Sequence, residues 1–347
     1  MVNTPRRMVI LTDGYSDSHA AKTAVCVVRY KPEEVVAVLD AASAGKTAGE
    51  VLGAGGSIPV VGRLADARGA NTLLIGIAPS GGKMPLRWRP VVLDAIRRRM
   101  TVVSGLHDLL KHDAEFTAAA GEYGAALVDL RDNDESDVAS GEPFRAECLR
   151  IHTIANDCSV GKMVAAVELA GGLRHVGIDA QFVATGQTGM LIAGGGCAVD
   201  RVISDFVAGA AEKLVRANEH HDVVVVEGQG SLFHPRYSGV TMSLLHGIRP
   251  DGMVLVYEMG RTSVHGMERF PLPTPRRTVQ YYEETAGIVH PGRVIGVAVN
   301  GRRFTDAQLE AECARVEDEL ELPACDVLRH GPAKLVEAVG RMRPRSP

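Results

Sequence analysis

The stretch from Leu149 to Leu169, LRIHTIANDCSVGKMVAAVEL, limits what this chain can fold into more than any other part of it. A short apolar run, Ile151 to Ala155, enters a small polar loop. Gly161-Lys162 then open an amphipathic segment carrying Met163, Val164, Val167 and Leu169. Strand, loop ending in Gly-Lys, and helix form the context of a phosphate-binding loop, because successive backbone N–H groups and the helix N-terminus converge on one anion. With one residue more in its loop, the pattern G-x-x-x-x-G-K-[ST] falls on Ala155 to Met163. Its first glycine is Ala155, which is tolerable where that residue still has the β conformation of the strand. Its Mg²⁺-binding hydroxyl is replaced by Met163, a more serious loss. The bland alternative is an ordinary strand-to-helix turn. The expectation is a loop of Asn156, Asp157, Cys158, Ser159, Val160, Gly161, Lys162 and Met163 that binds phosphate; nucleotide hydrolysis does not follow.

The 347 residues suit two domains rather than one. Thirty-eight glycines against 4% aromatics favour an α/β protein with many tight βα turns. A net charge of -4 without a basic block makes nucleic acid a poor partner. The six cysteines, Cys26, Cys148, Cys158, Cys197, Cys313 and Cys325, form no C-x-x-C pair, which argues against a zinc site or a disulfide framework and for a reducing compartment. Only four apolar residues follow the N-terminal arginines, too few for a signal peptide, and no run approaches a membrane span. A cytoplasmic protein without a membrane partner is expected, with a homo-oligomer as the default assembly.

Residues 1 to about 145 alternate short apolar runs with helical patterns. The runs are 8–11, 35–39, 59–61, 72–77 and 100–103, and the clearest helix is 90–99. Uninterrupted apolar runs separated by helices imply a parallel sheet covered on both faces. The arrangement is Rossmann-like but lacks G-x-G-x-x-G, so a dinucleotide is not indicated. Ala44-Gly45-Lys46-Thr47 is a decoy, since at the same spacing its upstream glycine would have to be Leu39. The loop Ala78 to Pro85 is either a ligand loop at a strand end or a flexible loop with one exposed Lys. Residues 130–148 are acidic and polar, and read as a solvated linker; they set domains of 1–145 and 146–347.

In the second domain, strands end at Val183, Val226, Tyr257 and Val299, and a long helix is expected from about Asp200 to Glu219 with Val202, Phe206, Ala210 and Leu214 as its apolar stripe. Four strand ends present polar or glycine-rich loops, 156–162, 185–189, 227–236 and 258–265, and strands that share one direction gather such loops on one edge. Glu227, after four valines, fits a metal ligand, a general base favoured by burial, or a plain carboxylate cap. Thr185, Gln187 and Thr188 suit orientation of a carboxylate or amide substrate. Arg236, two residues after His234, and Arg261 suit a carboxylate or phosphate, or a surface ion pair. Cys158 lies before a helix N-terminus, but no His stands near it in sequence. The twelve histidines show no metal-ligand spacing.

NDCSVGKM, ATGQTGMLIAGGG, VVVVEGQGSLFHP, VAVN and LPACDVLRHG together resemble a two-domain family with a Rossmann-like N-terminal and a P-loop C-terminal domain, some of whose members are D-glutamate N-acetyltransferases (DgcN-like). The resemblance spans nearly the whole second domain in register and the first more loosely. It implies acetyl-CoA as donor and an acidic D-amino acid as acceptor. It also implies that Asn156, Asp157, Ser159, Gly161 and Lys162 hold a phosphate, and that Gln187, Glu227, Gln229, His234 and Arg236 serve substrate and catalysis. The family's loop usually begins with Gly and reads GKMT, where this chain has Ala155 and Met163-Val164. P-loop ligases such as dethiobiotin synthetase share the strand-end VEG.

Two readings follow. In the first, an α/β enzyme with a Rossmann-like sheet followed by a P-loop NTPase-like sheet acetylates a small acidic amino acid such as D-glutamate. Glu227, Lys162 and Gln187 are then catalytic, and Thr185, Gln187, Thr188, Gln229, His234, Arg236 and Arg261 bind substrate. In the alternative, the same loop serves an ATP-dependent kinase or carboxylate ligase, with Glu227 on Mg²⁺. A degenerate ligand sensor is the non-catalytic option.

Overall fold

The structure, a computed structural model, describes residues 5–16, 20–77 and 82–343. It divides into two compact units: Met1–Asp132 with Met190–Gly194, and Asn133–Gly189 with Gly195–Pro347.

The first unit is built on β1 (Met8–Leu11), β2 (Val35–Leu39), β3 (Val60–Val61), β4 (Thr72–Ile75), β5 (Thr101–Ser104) and β6 (Leu127–Asp129). They pair in parallel in the order β3-β2-β1-β4-β5-β6. Successive side chains of a strand point to opposite faces, so a strand buried on both sides must be apolar throughout. Val9 and Leu11 of β1 accordingly join one core with Leu73, Ile75 and Trp88, while Met8 and Ile10 join the other with Val27, Val38 and Leu74. The helices α1 (Lys22–Tyr30), α2 (Ala48–Leu52), α3 (Arg89–Arg97) and α4 (Ala114–Tyr123) lie between the strands in sequence. Thr47 of the AGKT decoy caps α2: its hydroxyl accepts the Glu50 N–H at 3.3 Å, and the Glu50 carboxylate accepts the Thr47 N–H at 2.8 Å. Lys46 is exposed. Of the 78–85 loop, residues 78–81 lie outside the described residues.

The second unit carries β7 (Leu149–Ala155), β8 (Ala180–Val183), β9 (Val223–Val226), β10 (Gly252–Glu258), β13 (Arg293–Asn300) and β14 (Ala324–Cys325). They form a parallel sheet ordered β14-β13-β10-β7-β9-β8. A small antiparallel hairpin, β11 (Ser263–Val264) and β12 (Met267–Pro271), follows β10. The helices are α5 (Lys162–His175), α7 (Val207–Asn218), α8 (Ser238–Ile248), α9 (Pro275–Gly287), α10 (Asp306–Leu320) and α11 (Ala333–Met342), together with the start of α6 (Gln187–Ala193), whose residues from Met190 on belong to the first unit. β7 is central, and the strand order reverses between β7 and β10, so the loop after β7 opens at the switch point where open sheets bind ligands.

One expectation changes here. The helix expected over 200–219 is two 3-10 turns, Val199–Arg201 and Ser204–Phe206, followed by α7. Val202 and Ile203 between them are extended (ψ 140° and 137°), so the four-residue stripe does not form. α7 instead buries Val207, Ala210, Ala211 and Val215. Within the 130–148 stretch read as a solvated linker, residues 133–145 are mostly exposed, and they are also fastened to the second unit. The carboxylate of Glu212, itself buried, takes the Ser140 hydroxyl and the Gly141 N–H (3.1 Å), and Arg249 donates to the Gly141 and Glu142 carbonyls at 2.8 and 2.7 Å. The Phe144 ring is held by the guanidinium groups of Arg150, Arg216 and Arg249 at 5.0, 5.0 and 4.2 Å. A side chain at Gly209 would meet the Asp137 carbonyl, so only glycine lets the segment lie this close to α7.

Candidate active site

Strand β7 delivers its loop through two backbone conformations that fold the chain tightly into α5: Ser159 at φ 56° and Gly161 at φ 115°. The left-handed region suits Gly161, whereas for Ser159 it is a strained conformation held by the loop. Two side chains from other elements, and the loop's own Lys162, fix this loop. The Tyr282 hydroxyl, wholly buried, donates to the Ala155 carbonyl at 2.7 Å and accepts the Leu232 N–H at 3.2 Å. Asn300, at the end of β13, donates to the Val160 carbonyl at 2.9 Å. The Lys162 ammonium, 7% exposed, donates to the Asp157 carbonyl (3.0 Å) and across to the Gly230 carbonyl (2.7 Å). The loop after β9 is thereby tied to the loop after β7.

Asp157 is fully buried and works as a hub. Its carboxylate accepts the Cys158 N–H (2.7 Å), the His265 N–H (2.9 Å) and the Arg261 guanidinium (2.8 Å). Arg261 also reaches the Cys158 carbonyl at 2.8 Å and pairs with Glu258. Glu258 is buried, which pushes its carboxyl up, but Arg261 and Arg302 outweigh this and hold it below the ordinary range. Arg261, for which the sequence left open a substrate anion or a surface ion pair, spends its donors on two carboxylates and a carbonyl.

Glu227 sits at the end of β9 with its carboxylate turned onto the loop after β8. It accepts the Thr185 N–H at 3.2 Å and the Gln229 amide at 3.4 Å, and the Thr185 hydroxyl donates to its carbonyl at 2.9 Å. A Cβ at Gly186 or Gly189 would collide with Gln229 or with the Glu227 carboxylate, which explains two of the glycines in TGQTG. Gly228 is equally constrained, since a Cβ there would lie 1.7 Å from the Thr153 carbonyl. Gln187 and Thr188, expected in a loop, open α6 and are buried.

His234 is buried (1% exposed), lies tilted against Tyr237 with ring centroids 4.5 Å apart, and accepts the Arg236 N–H on Nδ1 at 3.2 Å. Burial pushes its imidazole below the usual value, against the nearby Asp157 charge. Its ring and the side chains of Asp157 and Cys158 converge: their ligating atoms all lie within 4.8 Å of one another. The Arg236 side chain is exposed, as is Ser159; Cys158 and Met163 are half-buried.

The structure therefore brings Asp157, Cys158, Lys162, Arg261, His234 and the Gly230 carbonyl into one cluster, and Thr185, Glu227 and Gln229 into another on the adjoining strand end. Sequence reasoning missed Tyr282, His265, Glu258 and the Cys158–His234 approach. Asn300 carried a visible signal, a polar residue closing an apolar run. Tyr282 carried none, because a tyrosine inside a helix looks like core.

A parallel sheet whose central strand runs through a Gly-Lys loop into a helix, with a carboxylate ending the neighbouring strand, defines a P-loop protein, carried here in one chain with a Rossmann-like unit. The chain belongs to the DUF1611 family: the family's C-terminal part, described as a domain of unknown function with a P-loop domain, matches residues 137–336, and its N-terminal part, described as Rossmann-like, matches residues 41–133. A D-glutamate N-acetyltransferase from Tritonibacter scottomollicae is 35% identical over 98% of this chain and 99% of its own length. One from Pseudoalteromonas is 36% identical over 77% and 81%. The crystal structure of a DUF1611 family protein from Anabaena variabilis superimposes with a TM-score of 0.91 at 33% identity, covering 97% of this chain and 99% of that one. No described helix is long and apolar enough to cross a membrane.

Proposed function

We propose that the protein is an N-acetyltransferase that moves the acetyl group of acetyl-CoA onto the α-amine of D-glutamate. The single observation that carries this reading is the near full-length relation to an enzyme of that name. The geometry suits the chemistry. Glu227 is a buried carboxylate, and two of its hydrogen bonds come from neutral donors, so it is suited to take the proton an attacking amine must lose. Lys162 and the loop 156–163 bind the donor, while Gln187, Thr188, Gln229, His234 and the exposed Arg236 side chain serve the two carboxylates of the acceptor. The N–H groups from Gln229 to Ser231 stabilise the oxyanion, that of Gly228 being held by the Thr153 hydroxyl at 2.9 Å. Met163 supplies no hydroxyl for Mg²⁺, which disfavours the ATP-dependent alternative.

Thermal-shift titration with acetyl-CoA, CoA, ATP and ADP, each with and without Mg²⁺, tests the donor. Acetyl-CoA at a hundred times its Kd stabilises by about 2.7 kcal/mol without Mg²⁺, and Lys162→Ala removes the shift. A shift with Mg-ATP alone would replace the acyltransferase with a kinase or ligase.

A further inference from the structure

We propose that Arg302 and Arg303 bind the ribose 3′-phosphate of the donor, so that the chain prefers CoA esters to donors that lack that group. The inference rests on the acetyl-CoA reading above and deepens it, because it adds a second anion position beside the loop after β7.

The two arginines stand in the turn after β13, and the side-chain amide of Asn300 sets that turn next to the loop. Its Nδ2 donates to the Val160 carbonyl at 2.9 Å, and its Oδ1 accepts the Arg302 N–H at 3.3 Å. A second tie runs through Glu258 at the end of β10. This carboxylate pairs with Arg261, whose guanidinium reaches the Cys158 carbonyl, and it accepts Arg302 Nε at 3.0 Å. Arg302 Nη2 lies 2.9 Å from the same oxygen. The guanidinium is thereby clamped along one edge. Among the described residues no hydrogen bond uses its Nη1, and the side chain is 34% exposed. A cation already fixed in place loses little freedom when it binds, and the planar fork of a guanidinium suits a phosphate. Arg303 follows on the exposed side, with its Nε 3.6 Å from Glu258.

Charge points the same way. Arg261, Arg302 and Arg303 set three guanidinium groups around two buried carboxylates, Asp157 and Glu258. The other carboxylates beside this turn are engaged. Asp306 pairs with Arg329 at 3.2 Å, and Asp326 accepts the N–H groups of Gly301, Leu328 and Arg329. One guanidinium charge is left over, and an anion is its natural complement.

The chemistry of the anion follows from there being two positions. A diphosphate suits the loop 156–163 and the N-terminus of α5. A phosphomonoester one ribose away then suits the arginines. CoA carries both groups, whereas ATP carries a single run of phosphates. The 3′-phosphate is far from the reacting thioester, so its contacts are the same in the ground state and the transition state, and they act on KM rather than kcat. Arg302 and Arg303 are therefore specificity residues for the donor.

The test is isothermal titration of the full chain with CoA and with 3′-dephospho-CoA, followed by turnover with their acetyl esters. The wild type is expected to bind CoA about 10-fold or more tighter than the dephosphorylated form. Arg303→Ala narrows that gap, and Arg302→Gln combined with Arg303→Ala abolishes it. Affinity for 3′-dephospho-CoA stays at the wild-type value in both variants, which also shows that they are folded. In turnover the KM for acetyl-CoA rises by the same factor while kcat is unchanged. Equal affinity of the wild type for the two ligands overturns the proposal and leaves acetyl-CoA as donor. Variants that weaken both ligands alike also overturn it, and make the arginines neutralisers of Glu258 only. Binding of neither ligand overturns the donor reading and this inference with it.

Discussion

His152 gives the sharpest prediction about the second unit's stability. It lies in the middle of β7, 1% exposed, with Nδ1 3.1 Å from the Val226 carbonyl of β9. Burial is the main cause that pushes its imidazole down to about 4. The carbonyl opposes the shift and the Lys162 charge adds to it. An unfolded chain binds a proton at this ring near pH 6.5, and the folded chain does not until about pH 4. Stability is therefore intact above pH 6.5 and falls as the pH drops through that window, because only the unfolded state takes up the proton. A difference of about 2.5 units at 1.36 kcal/mol each gives a loss of about 3 kcal/mol by pH 4. His152→Gln keeps a donor for the Val226 carbonyl and removes the titration. Urea unfolding by far-UV circular dichroism from pH 7 to 4.5 measures the difference. The one tryptophan, Trp88 in the first unit, lets fluorescence follow that unit separately. The wild type should lose about 1.4 kcal/mol per pH unit more than the variant below pH 6. Parallel pH curves would refute the argument and mean that the ring is protonated in the folded protein or reached by water.

Three further perturbations address the site. Gly228→Ala places a methyl 1.7 Å from the Thr153 carbonyl, so β7 and the start of the 227–236 loop must separate; a loss of about 3 kcal/mol and reduced acetyl transfer are expected, read by urea unfolding and turnover. Asp157→Ala removes the acceptor for two N–H groups and one guanidinium, costing about 3 kcal/mol, and Asp157→Asn costs less because an acceptor remains. Glu227→Gln keeps the shape and leaves stability unchanged, while kcat falls by about 10² to 10⁴; an unaltered kcat would remove the base role.

Much of the fold was legible because a parallel sheet needs strands that are apolar on both faces, and runs such as 8–11, 223–226 and 253–257 can satisfy nothing else. The loop after β7 was legible from Gly161-Lys162 in its strand–helix context. What the residues did not reveal is tertiary. The acidic segment 133–145 is solvated as it looks, but its fastening to Glu212, Arg216 and Arg249 was hidden because they are distant in sequence, and only Gly209 admits it to α7. Val202 fits a helical stripe with Phe206, Ala210 and Leu214 by spacing, yet it and Ile203 are extended between short turns. Cys158 seemed to lack a histidine because His234 follows a different strand, and only the pairing of β7 with β9 brings the two loops together. Arg261 carried a pattern shared by substrate arginines and ion pairs, and burial of Asp157 and Glu258 decides its partners.

The most direct measurement is chromatographic and mass-spectrometric detection of product from the purified full chain with acetyl-CoA and either D- or L-glutamate, without nucleotide or Mg²⁺. The account predicts N-acetyl-D-glutamate with one CoA thiol released per product, D-glutamate preferred over its mirror image, and loss of the product in Glu227→Gln. No acetylated product from either enantiomer, or product formed only when Mg-ATP is supplied and consumed, would contradict it.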